Sequence, residues 1–379
     1  MNVLLAPDAF KDSVTAEAAA EAMKQGVLVF NAEATIHTMA VSDGGEGFLA
    51  AVARYQPNVE RVEIATSDPL GRSIKAHYLW NAKSHTAYVE LAAASGIELL
   101  TKTERDARKT STLGTGILIK HAIDRGATMI YLGIGGSATN DGAMGIAQAL
   151  GYRFLDANNH SLSPNGESLN KIKHIISPKE TYANIQFVAV NDVQNPLFGP
   201  TGAAYTFAKQ KGASEATIEI LDQGLQNLDI QVSKSLERKE ALTPGAGAAG
   251  GTAYGLRVFC NAEFIKGTDF IFELSGLENL LSEKNIDLII TGEGKIDGQT
   301  IHGKFIHGLT QMAKKFQIPV FAICGKLEMD RAQLKQLGLQ DARELYDPNL
   351  PDGYSFTHAA TLIQKHVIAM LQDAFGATP

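Results

Sequence analysis

Five short loops hold most of the residues able to do chemistry: PDAFKDS (7–13), SDGGEG (42–47), GIGGSATNDG (133–142), VNDVQNP (190–196) and TGEGKIDGQT (291–300). Each carries carboxylates with side-chain donors or small residues beside them. Oxygen ligands from Asp and Glu suit a hard divalent cation, Lys offsets phosphate charge, and glycines let backbone N–H groups approach an anion. The chemistry within reach of such loops is that of phosphate groups.

GIGGSATNDG is the sharpest of the five. Gly133, Gly135 and Gly136 remove side chains where a strand turns towards a helix, and Ser137, Thr139 and Asn140 add donors. Asp141 can cap the helix or hold a metal. A tight turn with an N-cap accounts for the same residues without any ligand. No Lys follows at the spacing of the GxxxxGK[ST] phosphate loop. A rival pattern also fits: Gly133, Gly135 and Ala138 match G-x-G-x-x-A, with Asp156 as a ribose-binding carboxylate, which points to a nicotinamide-dependent dehydrogenase. Against that pattern, Asn140-Asp141-Gly142 breaks the helix that a pyrophosphate would need.

In TGEGKIDGQT, Glu293 and Asp297 lie either side of Lys295, with Lys304 downstream; a solvated glycine turn is the competing account. Asp192 in VNDVQNP can take a proton from a hydroxyl, and a turn ending in Asn195-Pro196 explains the segment equally well. Asp68 and Arg72 in SDPLGR read as a β-turn whose Arg can clamp a carboxylate bidentately. PGAGAAGG (244–251) contains G-x-G-x-x-G but follows no strand, so its small residues serve a close backbone approach, to phosphate or to another segment. The histidines lack zinc spacing, and no G-x-S-x-G elbow is present.

The loops follow apolar strands, as binding loops do in open α/β sheets. Strand, helix, strand is read over Asn2–Ala6, Thr15–Phe30 and Thr35–Val41. Alternating strands at Arg61–Ala65, Ser73–Trp80 and Thr86–Leu91 predict an antiparallel meander and a domain boundary near residue 60. Helix Leu113–Arg125 and strands Thr128–Gly133, Tyr152–Leu155 and Ile185–Val190 follow, then a long helix over Ala213–Leu236. Strands Asp287–Thr291 and Pro319–Ile323 and helices Gly303–Phe316 and His358–Phe375 complete the pattern. The expected class is α/β with two domains: a doubly wound, Rossmann-like domain from residues 1–60 and 265–379, and an inserted α/β domain with a mixed sheet over 61–264.

Composition narrows the partners. A net charge of −7 and a single Trp argue against nucleic acid, whose phosphates need a basic face and whose bases need stacking platforms. The segment MNVLLAPDAF lacks the basic start of a signal peptide, no apolar run is long enough to span a membrane, and Cys260 and Cys324 form no redox or metal spacing. A cytoplasmic protein acting on a small molecule is expected.

Taken together, the motifs resemble those of the glycerate kinase family, type I. The resemblance covers nearly the whole chain: PDAFKDS, SDGGEG, SDPLGR, VELAAASGIELL, TSTLGTG, GIGGSATNDG, NPLFGPTGA with FAKQKGA, PGAGAAGGTAYGL and TGEGKIDGQT-x-x-GK. It implies two α/β domains with the site in the cleft between them. The implied reaction moves the γ-phosphoryl group of ATP, with Mg²⁺, to a hydroxyl of D-glycerate, favouring 2-phosphoglycerate over 3-phosphoglycerate. A catalytically inactive nucleotide-binding relative would carry the same motifs. Departures are Asn191-Asp192-Val193 where members commonly read CDV, and Ala9 and Asp12 where Ser and Gly are usual.

On that basis phosphoryl-transfer physics distributes the roles. Gly135, Gly136, Ser137, Thr139 and Asn140 are assigned to nucleotide phosphates, with Lys211 or Lys295 offsetting their charge. Glu293, Asp141 and Asp297 are candidates for Mg²⁺. Asp192 is the preferred base for the attacking hydroxyl, with Asp8 second, and Lys11, Arg72 and Asp43 are placed on the substrate.

Overall fold

A computed structural model describes residues 1–10, 13–41, 47–180, 182–298, 300 and 305–376. The chain opens with β1 (Asn2–Pro7), α1 (Ala16–Phe30) and β2 (Thr35–Thr38). Val3, Leu4, Leu5 and Ala6 are all fully buried, as expected of a strand covered on both faces of a parallel sheet. Thr15 caps α1, its hydroxyl accepting from the Ala18 N–H at 3.2 Å.

The second part of the chain holds α2 (Phe48–Tyr55), β3 (Glu60–Ser67), β4 (Ser73–Asn81), β5 (Thr86–Glu90), α3 (Ala92–Ser95), α4 (Leu113–Asp124), β6 (Met129–Gly133) and α5 (Met144–Ala149). There follow β7 (Arg153–Leu155), β8 (His174–Ile176), β9 (Gln186–Val190), α6 (Ala203–Phe207), α7 (Glu215–Leu236), α8 (Ala248–Cys260) and β10 (Glu263–Ile265). The sheet order is β10-β9-β6-β5-β4-β3, with β10, β9, β6 and β5 parallel and β4 antiparallel to both its neighbours. The meander is therefore the edge of a mixed sheet. The strand expected over 152–155 lies outside that sheet and pairs with β8 as a separate two-stranded hairpin.

The C-terminal part supplies α9 (Gly267–Ser275), α10 (Leu277–Glu283), β11 (Leu288–Ile296), α11 (Phe305–Lys315), β12 (Val320–Leu327), α12 (Arg331–Leu337), β13 (Asp341–Glu344), α13 (Tyr354–Thr357) and α14 (Ala359–Phe375). All five strands of this sheet are parallel, in the order β13-β12-β11-β1-β2. The chain runs outward from β1 in one direction through β2 and in the other through β11, so strand order reverses between β1 and β11. α1 packs on α14 so closely that a Cβ on Gly26 would lie 2.8 Å from the Val367 Cβ.

By contacts the chain divides into Met1–Ser42 with Thr268–Pro379, and Asp43–Gly267. The first crossing thus precedes α2 instead of falling near residue 60, because α2 packs on β4 and β5 and the Leu49 N–H donates to the Glu90 carboxylate at 3.1 Å. Each unit has its own apolar core. Among the described residues no helix is long and apolar enough to cross a membrane.

Candidate active site

In the inserted unit, β6 and β9 are paired in register Gly133↔Val190, so the loops 134–141 and 191–197 leave the same end of adjacent strands. The first loop is pinned from below. The Ile97 N–H donates to the Gly136 carbonyl at 2.8 Å, the Ala138 N–H donates to the Ser95 carbonyl at 2.9 Å, and the Thr110 hydroxyl donates to the Ala138 carbonyl at 2.9 Å. Gly136 takes φ +68°, a left-handed conformation that an L side chain adopts only at a cost, and it is the exposed tip of the loop.

Beyond that tip the loop dives inward. Thr139, Asn140 and Asp141 are completely buried. The Thr139 hydroxyl and both polar atoms of the Asn140 amide have no hydrogen-bond partner among the described residues. Buried polar groups are nearly always paired, so an orphaned pair of neighbours needs a cause, and a missing ligand is one. Asp141 is different. Its Oδ2 accepts from the Thr112 N–H and hydroxyl, each at 2.8 Å, and from the Gly145 N–H at 3.2 Å. Burial pushes its carboxyl above the usual range, and the Thr112 and Gly145 bonds oppose that rise. Its carboxylate thereby joins the first turn of α5 to Thr112 at the start of α4.

Lys211 sits behind the loop, 2% exposed, and its Nζ donates to Ser137 Oγ and to the Thr139 carbonyl, each at 2.7 Å. Burial pushes its ammonium down to about 7, with the Asp141 carboxylate acting the other way. Gly212 makes this placement possible: it has φ +88°, and a Cβ there would lie 2.0 Å from the Arg105 carbonyl oxygen.

The segment 244–251 closes the arrangement. A Cβ on Gly250 would fall 2.0 Å from the Thr139 carbonyl oxygen, and one on Gly247 would fall 2.2 Å from that of Pro196. Its small residues therefore bring its backbone against both loops. Asp192 follows β9, half-buried, beside Asn191, whose side-chain oxygen accepts from the Val193 N–H at 3.1 Å. The Asn195 amide donates to the Thr201 carbonyl at 2.7 Å. Arg72 makes no hydrogen bond to this group among the described residues. Its guanidinium holds the buried Asp68 at 2.5 Å and Glu104 at 2.6 Å, while Asp68 also accepts from the Leu70 and Arg72 N–H groups.

In the terminal unit, Asp8 and Glu293 flank the reversal point between β1 and β11, where open α/β sheets bind ligands. The Asp8 N–H donates to the Gly292 carbonyl at 2.8 Å. Thr300 links the Glu293 carboxylate to the backbone at Asp297: its hydroxyl donates to Glu293 Oε1 at 2.9 Å and accepts from the Asp297 N–H at 3.2 Å. Lys295 is held by Glu328 at 2.8 Å and Asp297 at 3.3 Å, which raise its pKa. No group of three His, Cys, Asp or Glu side chains that could hold a metal ion is found among the described residues. Lys11, Asp43 and Lys304 lie outside the described residues.

The dinucleotide reading of Gly133–Ala138 does not survive this geometry. No helix begins at the loop, since α5 starts only at Met144. Asp156 lies beyond the β7–β8 hairpin strand, its Oδ1 accepting from the Asn158 and His160 N–H groups of its own turn. Sequence reasoning passed over Thr112, Thr300 and Glu328, which hold the named residues in place. Thr112 lies inside TSTLGTG, and its hydroxyl before an apolar helix is the one signal that could have marked it.

Comparison with known proteins agrees with the motifs. The glycerate kinase family model matches residues 3–373. The chain is 36% identical over 367 residues to a glycerate kinase of Bacillus subtilis (strain 168), covering 96% of this chain and 95% of the relative. It is 39% identical over 343 residues to a glycerate 2-kinase of Escherichia coli (strain K12), covering 89% of each. A crystal structure provisionally described as glycerate kinase 2 from Salmonella typhimurium LT2 superposes with a TM-score of 0.80 at 34% identity, covering 99% of this chain and 98% of that one. This chain therefore belongs to the glycerate kinase family, phosphotransferases with an alcohol group as acceptor.

Proposed function

We propose that this chain transfers the γ-phosphoryl group of ATP to the 2-hydroxyl of D-glycerate. The observation that carries the placement is the orphaned pair Thr139–Asn140, fully buried at the carboxyl end of β6 next to the loop bearing Asp192. A phosphoryl group in flight spreads charge over its oxygens, so the protein's task is positioning and electrostatic stabilisation. The exposed glycine tip at 135–136 offers backbone N–H groups to phosphate, Thr139 and Asn140 offer side-chain donors, and Lys211 adds positive charge from behind the loop. Asp192 accepts the proton of the attacking hydroxyl, with Asp8 as the second candidate.

Glu293, oriented by the Thr300 hydroxyl, suits Mg²⁺, which takes one or two carboxylates and completes its shell with water and substrate phosphates, and Asp297 is the second candidate once it is released from Lys295. Asp141 suits it less, since its carboxylate is engaged by Thr112 and Gly145. When bound, the cation supplies neutralisation of phosphate charge. Arg72 can take the glycerate carboxylate by exchanging it for Glu104, a like-for-like swap at a half-exposed guanidinium.

Phosphorus-31 NMR of the protein with MgATP and D-glycerate, run against a glycerate-free control, tests this reading. A new phosphomonoester split by one neighbouring proton is the 2-phosphate; splitting by two protons is the 3-phosphate and corrects the regiochemistry. ATP left intact, while it still binds, identifies an inactive relative.

A further inference from the structure

The terminal unit carries a cavity that the phosphoryl-transfer residues do not use. It measures about 130 Å³, and its walls are Phe10, Leu345, Tyr346 and Phe356 over a floor of Gly294 and Gly325. An apolar cavity of about this size is on the scale of a single aromatic ring, so a larger ring system would extend into its mouth. The floor is bare for a structural reason: a Cβ on Gly325 would lie 2.5 Å from the Gly294 carbonyl oxygen, so β11 and β12 approach too closely there for side chains.

The walls are also held in place. The Ser13 hydroxyl donates to the Phe356 carbonyl at 2.9 Å, and the Tyr346 N–H donates to the Gly325 carbonyl at 3.1 Å. Tyr346 and Phe356 are nevertheless 53% and 55% exposed, in a unit whose other large apolar side chains are mostly buried. Two aromatic faces left open at the mouth of an apolar cavity mark a ligand site more than a core defect.

Its location says which ligand. Gly294 lies between Glu293 and Lys295, the residues assigned to the metal and to phosphate charge, and Phe10 follows Asp8 by two positions. The cavity thus lies at the carboxyl ends of β11, β12 and β13, beside Glu293, a carboxylate proposed for the metal that accompanies the nucleotide. D-Glycerate, a small acid with two hydroxyls, has nothing to gain from apolar aromatic walls. A planar heteroaromatic ring does, through stacking and burial, and Lys326 at the rim can donate to a ring nitrogen. We propose that this cavity receives the purine base of the nucleotide donor, with Phe356 and Tyr346 as the stacking residues. This inference rests on the kinase reading for the identity of the donor.

The test is isothermal titration of ADP and of tripolyphosphate into the wild type, Phe356→Ala and Tyr346→Ala, with initial rates measured against ATP and glycerate. Both side chains are half-exposed, so truncation should leave the fold intact, and Phe356→Leu provides a milder second variant. The expected result is ADP binding at least tenfold weaker in both alanine variants, tripolyphosphate binding within twofold, and KM for ATP raised more than KM for glycerate. Unchanged ADP affinity overturns the proposal and leaves the cavity to another occupant, such as a protein segment. Equal losses for ADP and tripolyphosphate overturn it too, as a general disturbance of the unit. A wild type that binds ADP without phosphorylating glycerate removes the kinase reading, while the binding arm still decides the base site.

Discussion

At the residue scale the site turns on two groups with different tasks. Asp192 is proposed to take a proton, and general base catalysis contributes about 10²- to 10⁴-fold. Asp192→Asn is expected to lower kcat by at least ~100-fold while KM for ATP stays within a few fold; turnover within ~10-fold of the parent, under ~1.4 kcal/mol, removes Asp192 as the base. Lys211 acts through the loop. An amine with two N–H bonds can satisfy both Ser137 Oγ and the Thr139 carbonyl even when neutral. Its folded pKa of about 7 lies below the ordinary 10.5, so between those values the unfolded chain binds more protons and stability rises with pH. That contribution is present above pH 10.5 and is lost as pH falls through 7. Melting wild type and Lys211→Met from pH 6 to 9 should show the wild type gaining on the variant as pH rises, and a constant difference would place the ammonium at its ordinary value. The sequence shows Lys211 as one lysine in FAKQKGA. Its burial depends on the turn at Gly212 meeting the Arg105 carbonyl, a long-range contact that no local pattern encodes.

At the element scale, the loops after β1, β6, β9 and β11 were legible because apolar strands ending in Gly and Asp have few other readings in an α/β chain. The β7–β8 hairpin was not, because β7 is only three residues long and has the same apolar signal as a sheet strand. The Gly-rich segment 244–251 was legible as a close approach, while its target was not. Its residues Ala249, Gly250 and Gly251 all have positive φ, a left-handed run that puts Gly250 against Thr139. Gly250→Ala should therefore combine a left-handed alanine with a clash against backbone, destabilising the protein by ~3 kcal/mol or more and disordering the 137–140 loop. Gly276→Ala is the control, with φ +62° but open space around it, and should cost about 1 kcal/mol with activity retained. Denaturant unfolding with kcat/KM for each variant separates the two effects. Similar losses in both would show that backbone conformation, and not the approach to Thr139, is what Gly250 supplies.

At the scale of the whole molecule, the two units differ in how the chain builds them. Among the described residues, the main core cluster of the inserted unit runs from Val62 to Ala262, all within Asp43–Gly267. That of the other unit needs both chain ends: Val3, Leu5, Met23 and Val27 pack with Leu288, Ile290, Ile363 and Val367. A contiguous segment with a closed core of this size meets the conditions for folding alone, whereas an N-terminal strand and helix cannot bury their apolar faces without the C-terminal strands. The excised Asp43–Gly267 segment is expected to melt in a single cooperative transition with native-like circular dichroism. A Met1–Ser42 peptide should show no cooperative melt, because β1 would lack its β11 partner and α1 its α14 partner. Non-cooperative melting of the excised segment would mean that its core needs support from the terminal unit. β6 and β9 are neighbours inside one sheet of the inserted unit, so the Thr139–Asn140 loop and Asp192 leave the same end of that sheet. Because Glu293 and Asp297, proposed for the metal, belong to the terminal unit, unfolding of that unit alone by denaturant should abolish turnover before the near-ultraviolet signal of Trp80 in β4 is lost.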